Sequence, residues 1–411
     1  MVPGHDVARE LRDAPEPMLE AVMAASGATL ETWRVDAVHA RPGAETSVAF
    51  DVVASGERLY LVATTAAIDD ASRVAIGAVR VDSEAGAVTL WRHPADPALP
   101  GLAIASSARA LESRVAAVRR RDARVEELQM LVLRPMRRAV LRATFRESGG
   151  PETWYVKVVR PDRAPALLAR HEMCALAPAA LDLGDGVVLV AAAPGVALTT
   201  RLYRPTAPPG ARPVDPRVLL DALRSLPPDA RDLDRRATPT QEVSRYAEAA
   251  VAAGLDADRV SAVVAEIIGG ASGEPGPVVA THGDFHAANL FVSEDPAAVP
   301  VGLIDVDTLG PGYRADDLAC MLAHLLTLHD LDPEGYADVP DLAERTRQVF
   351  AAEVDPRELS LRAAAVLLSL AAGIGDPSFA ERWLSRAETE AGLRGSSTPP
   401  QVGRRSGPSA E

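Results

Sequence analysis

Hydrophobic positions in the first quarter of the chain indicate a helix and then a series of strands. Residues 5–25 favour a helix that packs against the next segments of the chain, whereas from residue 33 onward valines and aromatic residues dominate short segments. Turn sequences such as Pro-Gly-Ala-Glu and Ser-Gly-Glu separate these segments. The pattern therefore predicts a helix and an antiparallel meander with strands over residues 33–39, 47–54, 59–65, 74–81 and 87–91.

A second group of strands comes after a proline-rich break at residues 93–101. Residues 106–124 place Leu111, Val115 and Val118 on one stripe, which predicts a helix. The elements expected next are strands over 125–133, 139–146 and 153–159, a helix over 164–176, and a buried strand over 187–191.

The second half of the chain is mostly helical. Helical patterns run from residue 198 to 268, with breaks at proline-rich loops, and from 315 to 391, and a short strand is expected at 278–280. One later helix has a single apolar face, formed by Leu318, Met321, Leu322, Leu325 and Leu326. The tail, residues 395–411, is rich in serine, proline and glycine and is expected to be disordered.

The two strand groups share a faint internal repeat. The motifs that recur in the same order are Arg41-Pro42, Phe50, Ser55-Gly56 and Tyr60, then Arg134-Pro135, Phe145, Ser148-Gly149 and Tyr155. Two unrelated β-hairpins are the simpler interpretation. The alternative interpretation is a true repeat. The N-terminal module would then resemble a strand lobe in which Val62 stands where the second copy has Lys157.

Composition narrows the classes of function. The 411 residues are 47% hydrophobic and 24% charged, with a net charge of −14, which suits a globular protein of two or three domains. Nucleic-acid phosphates need a basic surface, so an acidic chain argues against that partner. The N-terminus has no apolar signal segment, and the apolar run at 363–374 is too short to span a bilayer. We therefore expect a cytoplasmic protein without nucleic-acid or membrane partners, in which Cys174 and Cys320 are reduced, buried thiols.

The densest polar cluster comes directly after the strand expected at 278–280. It reads Thr-His-Gly-Asp-Phe-His-Ala-Ala-Asn-Leu at 281–290, and Gly-Leu-Ile-Asp-Val-Asp occupies 302–307. Asp284 and Asn289 would lie in one loop, and Asp305 at the end of an apolar strand. Their oxygens are hard ligands suited to Mg²⁺, with phosphates completing its shell. A further carboxylate could orient an acceptor hydroxyl or take its proton.

Lysine and asparagine each occur once in the chain, as Lys157 and Asn289. Both residue types use A-rich codons, so a GC-rich genome would deplete them without determining which positions keep them. Lys157 lies in an alternating strand, and Asn289 lies in the polar cluster. The count therefore marks two positions at which arginine or aspartate would not serve.

The spacing of Asp284 and Asn289 equals that of the protein-kinase catalytic loop, in which the aspartate is the base and the asparagine holds a metal ion. Here the loop begins with His-Gly-Asp rather than His-Arg-Asp, and the later motif is Ile-Asp-Val-Asp rather than Asp-Phe-Gly. Together with Asp-Leu-Ala at 317–319, the set resembles the aminoglycoside phosphotransferase and choline kinase-like family over about residues 125–390.

The resemblance implies an α+β, protein-kinase-like bilobal fold with an antiparallel-sheet N-lobe and a mainly helical C-lobe. This chain would add an N-terminal α+β module. The expected domains are the module at 1–110, an ATP-binding lobe at 111–195, a helical lobe at 196–394 and the tail at 395–411.

The resemblance also implies roles for the motif residues. In the catalytic region these are Asp284 as catalytic aspartate, His282 as its brace, Asn289, Asp305 and accessory Asp307 as Mg²⁺ ligands, and Asp317 and His286 as structural support. In the nucleotide site they are Lys157 on the phosphates of ATP or GTP, Glu172 as its ion-pair partner, and the backbone from Ala191 to Ala193 on the base.

Taken singly, each of these features has a plainer explanation. His282 could be a satisfied core histidine, Lys157 an edge-strand residue, and Asp317 an acid favoured at a helix N-terminus. Jointly, in this order, they favour the kinase-like interpretation. One departure is that residues 131–138, between the first two strands of the lobe, contain no glycine with which a loop could approach phosphate closely. Arginines of this segment could contact phosphate, or it could be a solvated turn.

The expected activity is transfer of the γ-phosphoryl group of ATP to a hydroxyl of a small molecule. Aminoglycoside, amino-alcohol and sugar acceptors stay open, and maltokinase-like members of the family also carry an extra N-terminal module. An aminoglycoside would need an acidic pocket, for which the candidates are Glu242, Glu248, Asp256 and Asp258. The competing class is a nucleotide-binding pseudokinase or regulatory binding protein, which would be marked by loss of a motif residue, and none is lost.

Overall fold

The chain forms two compact units in the computed structural model, which describes residues 4–40, 45–83, 86–120, 123–147, 150–206 and 212–393. The first unit comprises Met1–Pro194 and Val301–Asp307, and the second comprises Gly195–Pro300 and Thr308–Glu411. The tail expected to be disordered, and the repeat motifs at 41–42 and 148–149, lie outside the described residues. No described helix has the length and apolar character needed to cross a bilayer.

The first unit begins with two helices and a five-stranded antiparallel sheet. The elements are α1 (Gly4–Asp13), α2 (Glu16–Ala25), β1 (Leu30–Ala40), β2 (Thr46–Ala54), β3 (Glu57–Thr64), α3 (Asp70–Ala75), β4 (Val79–Ser83) and β5 (Gly86–Arg92). The strand order is β1-β2-β3-β5-β4. Its core contains Leu11 of α1 and Leu19 of α2, packed against the sheet residues Phe50, Leu61 and Leu90.

Three sequence predictions for this part of the chain were wrong. The helix expected over 5–25 is two helices, because Pro15 and Pro17 lack the N–H that would continue the first. The strand expected at 74–81 begins only at Val79, because Asp69 caps α3 by accepting the Ser72 N–H. The sheet is not a simple meander, since β5 lies between β3 and β4.

A second five-stranded antiparallel sheet lies in the same unit. Its elements are α4 (Leu102–Ala105), α5 (Ala108–Arg119), β6 (Arg124–Arg134), β7 (Arg138–Glu147), β8 (Gly150–Val159), α6 (Ala164–Met173), β9 (Ala180–Asp182) and β10 (Val187–Ala191). The strand order is β6-β7-β8-β10-β9. The strand expected at 187–191 is confirmed, whereas β9 was not expected. Leu99 and Leu102 pack into the core of this second sheet.

The two sheets have the same strand order, which favours the repeat over two unrelated hairpins. In each, three consecutive strands are followed by a helix, an edge strand and a final strand that pairs with the third. Val62 in β3 and Lys157 in β8 both lie two residues before the end of the third strand. Val62 is buried and pairs with Ala49 and Trp91. The N-terminal module therefore repeats the architecture of the second sheet with valine at the lysine position.

The second unit is mainly helical. Its helices are α7 (Leu198–Leu202), α8 (Arg217–Arg224), α9 (Val243–Ala252), α10 (Ala257–Gly270), α11 (Arg314–Leu331), α12 (Val339–Phe350), α13 (Pro356–Gly373) and α14 (Pro377–Ala391). The strands in this part of the chain are β11 (Val196–Ala197), β12 (Val278–Thr281), β13 (Leu290–Val292), β14 (Pro300–Leu303) and β15 (Gly310–Tyr313). Strand β12 pairs with β15, and β11 pairs with β13. Of the apolar face expected on α11, Leu318, Met321, Leu322 and Leu325 are buried.

Candidate active site

A short loop between β12 and β13 in the second unit carries Asp284 and Asn289, and α11 holds it from behind. The Asp317 carboxylate, near the start of α11, accepts the His282 N–H at 2.8 Å and the Gly283 N–H at 2.9 Å. Asp317 is only 1% exposed. Burial raises its pKa to about 7, although both N–H groups and Arg314 oppose the shift. This pair of hydrogen bonds joins the loop and the helix into one element.

Thr308 holds the same loop from a second side, and the sequence analysis did not single it out. Its hydroxyl donates to the carbonyl of His282. The whole His282 residue is buried. Gly283 has a φ of +80°, and a Cβ at this position would lie 2.9 Å from the Thr308 carbonyl oxygen. The glycine of the His-Gly-Asp motif is therefore required by the close approach of the two segments.

Asn289 is oriented by hydrogen bonds within the loop. Its Nδ2 donates to the Asp284 carbonyl at 3.0 Å and lies 3.1 Å from His286 Nε2. Both contacts use the amide nitrogen, so neither of them engages Oδ1. The Asp284 side chain is 49% exposed, so its carboxylate is accessible from solvent.

Lys157 and the two aspartates of Ile-Asp-Val-Asp meet in the first unit. Lys157 Nζ donates to Asp305 Oδ1 at 2.9 Å and to Asp307 Oδ1 at 2.8 Å. Burial disfavours the ammonium, but the charges of Asp307 and Asp305 outweigh it, so the pKa of Lys157 is raised. Asp305 has a φ of 55°, a left-handed conformation that is uncommon for a residue other than glycine. The segment is tied to the rest of the unit by the Leu303 N–H, which donates to the Leu176 carbonyl at 2.8 Å.

The expected ion pair between Lys157 and Glu172 is not formed among the described residues. Glu172 is exposed on α6. Leu167 and His171, four residues apart, form the buried face of that helix, and His171 Nδ1 lies 2.8 Å from the Pro178 carbonyl. Glu172 is one residue, or about 100°, away from this face. In the structure Lys157 therefore contacts Asp305 and Asp307 rather than Glu172.

The segment expected to contact the base lies at the end of β10. The Ala191 N–H already donates to the Ala179 carbonyl at 2.9 Å. Ala193 lies beyond the strand, is partly exposed, and has no backbone partner among the described residues. Of the two alanines, Ala193 is the one whose backbone groups are available to a ligand.

The glycine-free turn between β6 and β7 is held by the N-terminal sheet. Met136, at a φ of 61°, donates its N–H to Asp96 Oδ2 at 2.9 Å. Its side chain packs against the apolar face formed by Ala49, Val62 and Trp91. Asp96 is buried, which raises its pKa, and its Oδ1 accepts the N–H groups of two residues shortly after it in the chain. The turn that lacks glycine is thus held in place by the Asp96 side chain.

The residues expected to bind magnesium are distributed over the two units, with Asn289 in the second and Asp305 and Asp307 in the first. Asn289 Oδ1 and the carboxylates of Asp305 and Asp307 are all hard oxygen ligands, as Mg²⁺ requires. Among the described residues, these two carboxylates contact the single ammonium of Lys157, so the group keeps a net negative charge that favours a cation.

Residues 142–352 match the model of a family described as the phosphotransferase enzyme family. No curated protein gives a significant match. Among solved structures, a thermostable mutant of aminoglycoside phosphotransferase APH(4)-Ia is 14% identical, with 70% of this chain and 100% of that chain covered and a TM-score of 0.46. Macrolide 2'-phosphotransferase MphH from Brachybacterium faecium is 17% identical, with 72% of this chain and 98% of that chain covered and a TM-score of 0.36. An ethanolamine kinase from Plasmodium vivax is 10% identical, with 65% of this chain and 82% of that chain covered and a TM-score of 0.36. At these scores the structural likenesses add nothing to the family match.

Proposed function

Because the chain belongs to the phosphotransferase enzyme family, we propose that it is a kinase that transfers the γ-phosphoryl group of ATP to a hydroxyl of a small molecule. The observation that best supports this is the contact of the chain's only lysine, Lys157, with both Asp305 and Asp307. An ammonium beside two carboxylates is suited to a site that receives a nucleotide phosphate together with a divalent cation.

Lys157 would bind the phosphates as a compact point charge. Its ammonium now contacts two carboxylates, and it would turn to phosphate oxygens when the nucleotide binds. Asn289, Asp305 and Asp307 would hold Mg²⁺, which when bound neutralises phosphate charge. The guanidinium of an arginine is a broad planar fork and would not reproduce this geometry.

Asp284 would orient the acceptor hydroxyl and accept its proton. Its carboxylate is accessible, and its backbone position is set through the hydrogen bonds of the neighbouring His282 and Gly283 to Asp317. Catalysis of this kind depends on positioning and charge stabilisation rather than on covalent chemistry with the protein.

We propose a neutral hydroxyl acceptor rather than a polycation. The four acids considered for an aminoglycoside pocket do not act as one group. Glu242 pairs with Arg245, Asp256 caps α10 by accepting the Arg259 N–H, and Glu248 and Asp258 are exposed. We therefore place sugars and other neutral polyols first in an acceptor panel.

The test is ADP formation by the full chain with Mg²⁺ and a panel of sugars, amino alcohols and aminoglycosides. Asp284→Ala should lower turnover by about 10²- to 10⁴-fold, and Lys157→Arg should impair it despite keeping the charge. Glu172→Gln should retain activity, because the Glu172 side chain is exposed and does not pair with Lys157.

Wild-type turnover by both Asp284→Ala and Lys157→Arg would refute the proposal. Nucleotide-dependent thermal stabilisation without ADP formation from any acceptor would instead support the non-catalytic binder.

A further inference from the structure

Two imidazoles and one carboxylate meet beside the catalytic loop. Asp284 and His286 lie in the loop, and His324 lies on α11, seven residues after Asp317. One ligand atom from each of the three side chains lies within 4.8 Å of the other two. His286 Nε2 is 3.7 Å from Asp284 Oδ1, and the two histidine rings are stacked with their centroids 4.3 Å apart.

His324 is the unusual member of this cluster. Its side chain is partly buried, and neither ring nitrogen has a hydrogen-bond partner among the described residues. His171, a buried histidine elsewhere in the chain, has its Nδ1 2.8 Å from a backbone carbonyl. An imidazole nitrogen without a hydrogen-bond partner, close to another imidazole and a carboxylate, is available to bind a metal ion.

The three side chains are held together by the fold. Asp317 joins α11 to the loop through two backbone hydrogen bonds, and His324 lies two turns further along the same helix. A tetrahedral zinc ion with bonds of about 2.0–2.1 Å needs its ligand atoms roughly 3.3 Å apart. The side chains therefore have to approach by about 1.5 Å or less, and one imidazole has to turn out of the stack so that its lone pair converges on the ion.

We propose that Asp284, His286 and His324 form a binding site for a transition-metal ion such as Zn²⁺, distinct from the magnesium ligands. Two imidazole nitrogens and one carboxylate oxygen are borderline ligands that suit Zn²⁺, Co²⁺ or Ni²⁺. Mg²⁺ prefers a shell of oxygens. The fourth position of the ion would be open to water or to a substrate hydroxyl.

Occupation of this site has two consequences, which rest on the proposed kinase activity. The Asp284 carboxylate would be engaged and could no longer accept the proton of the acceptor. His286 Nε2 would also leave Asn289 Nδ2, which now lies 3.1 Å from it. Zn²⁺ would thus compete with the acceptor and disturb the residue proposed to bind Mg²⁺, so the ion would act as an inhibitor.

The test is titration of the untagged full chain with Zn²⁺ alone, against a chromophoric chelator, with no nucleotide and no acceptor. We expect one equivalent to bind, and His324→Phe, which keeps an aromatic ring but removes the nitrogens, to weaken binding at least about tenfold. Asp284→Asn should weaken it as well, and this accessible side chain can be changed without disturbing the core. His329→Phe is the matched control, because His329 lies on the same helix but its ring contacts the Tyr336 carbonyl.

Co²⁺ provides an independent readout, since its visible spectrum reports nitrogen and oxygen ligation in a four- or five-coordinate site. Absence of a bound equivalent in the wild-type chain would overturn the proposal. Equal weakening by His329→Phe and His324→Phe would also overturn it, because binding would then be a general property of the histidines on α11. None of these measurements involves phosphoryl transfer, so failure of the proposed activity would be seen separately.

Discussion

The anchor between Asp96 and the β6–β7 turn gives the most specific prediction. Asp96 accepts three N–H groups, from Ala98 at 2.9 Å, Leu99 at 3.1 Å and Met136 at 2.9 Å. In Asp96→Asn, one of the two side-chain acceptors becomes an NH₂ group. Whichever way the asparagine amide is oriented, its NH₂ group faces at least one of these N–H groups, which then loses its acceptor.

Loss of an acceptor from a buried N–H costs about 1–3 kcal/mol. If the amide keeps its oxygen toward Ala98 and Leu99, the whole cost falls on Met136. The equilibrium between the anchored and the released turn then shifts by about 5- to 150-fold. The family resemblance places the phosphate-binding turn here, and on that proposal we expect a higher KM and a higher Kd for the nucleotide, with a smaller change in the acceptor KM.

The assay is nucleotide KM from ADP formation, together with nucleotide Kd from calorimetry. Asp69→Ala is the matched control. It removes the cap of α3, where Asp69 accepts the Ser72 N–H at 2.9 Å, and should lower stability by about 0.5–2 kcal/mol without touching the turn. If the two variants lose stability but change nucleotide KM and Kd equally, Asp96 does not act through the turn, and the reasoning is refuted.

Three further outcomes are expected. The Asp317 pKa of about 7, against 3.8 for the ordinary side chain, means that the folded chain binds more protons between these values. The free energy of unfolding should therefore fall as the pH rises from about 4 to 7, by up to on the order of 4 kcal/mol, and Asp317→Asn should flatten the urea-denaturation profile over this window. Cys174 is buried, which raises its pKa, whereas Cys320 is only partly buried, so Cys174 should not react with iodoacetamide at pH 8 until the chain is unfolded, and rapid labelling of Cys174 in the native protein would contradict this. Arg362 is buried and pairs with Asp316 at 2.5 Å, so Arg362→Met should cost about 3–5 kcal/mol in urea unfolding, and a change below 1 kcal/mol would show that Asp316 is not left unpaired.

Local patterns predicted the parts of the fold in which one signal dominates. The strand at 187–191 is an uninterrupted apolar run, and its bounds were predicted correctly. The apolar face of α11 results from helical spacing. The position of β5 between β3 and β4 could not be predicted, because strand order depends on pairing between distant segments.

In the candidate site, too, the sequence predicted residue types better than contacts between distant segments. The family resemblance singled out Lys157 and both aspartates, but it did not predict that they contact one another. It suggested Glu172 as the partner of the lysine because a family pattern supplies a residue type but not the rotation of the helix that carries it. Asp96 and Thr308 were missed because each acts on backbone groups 40 and 26 residues away in the chain, and no local signal marks such contacts.

The repeated sheet matters for anyone who wishes to shorten this protein. A chain cut at residue 111, the domain border expected from the sequence, would lose Leu99 and Leu102 from the core of the second sheet. It would also uncover Met136 and remove the acceptor of its N–H. The N-terminal copy is thus no detachable appendage, and expression of the second copy without it should yield an insoluble or poorly folded product. Any minimal version of the enzyme has to retain both copies.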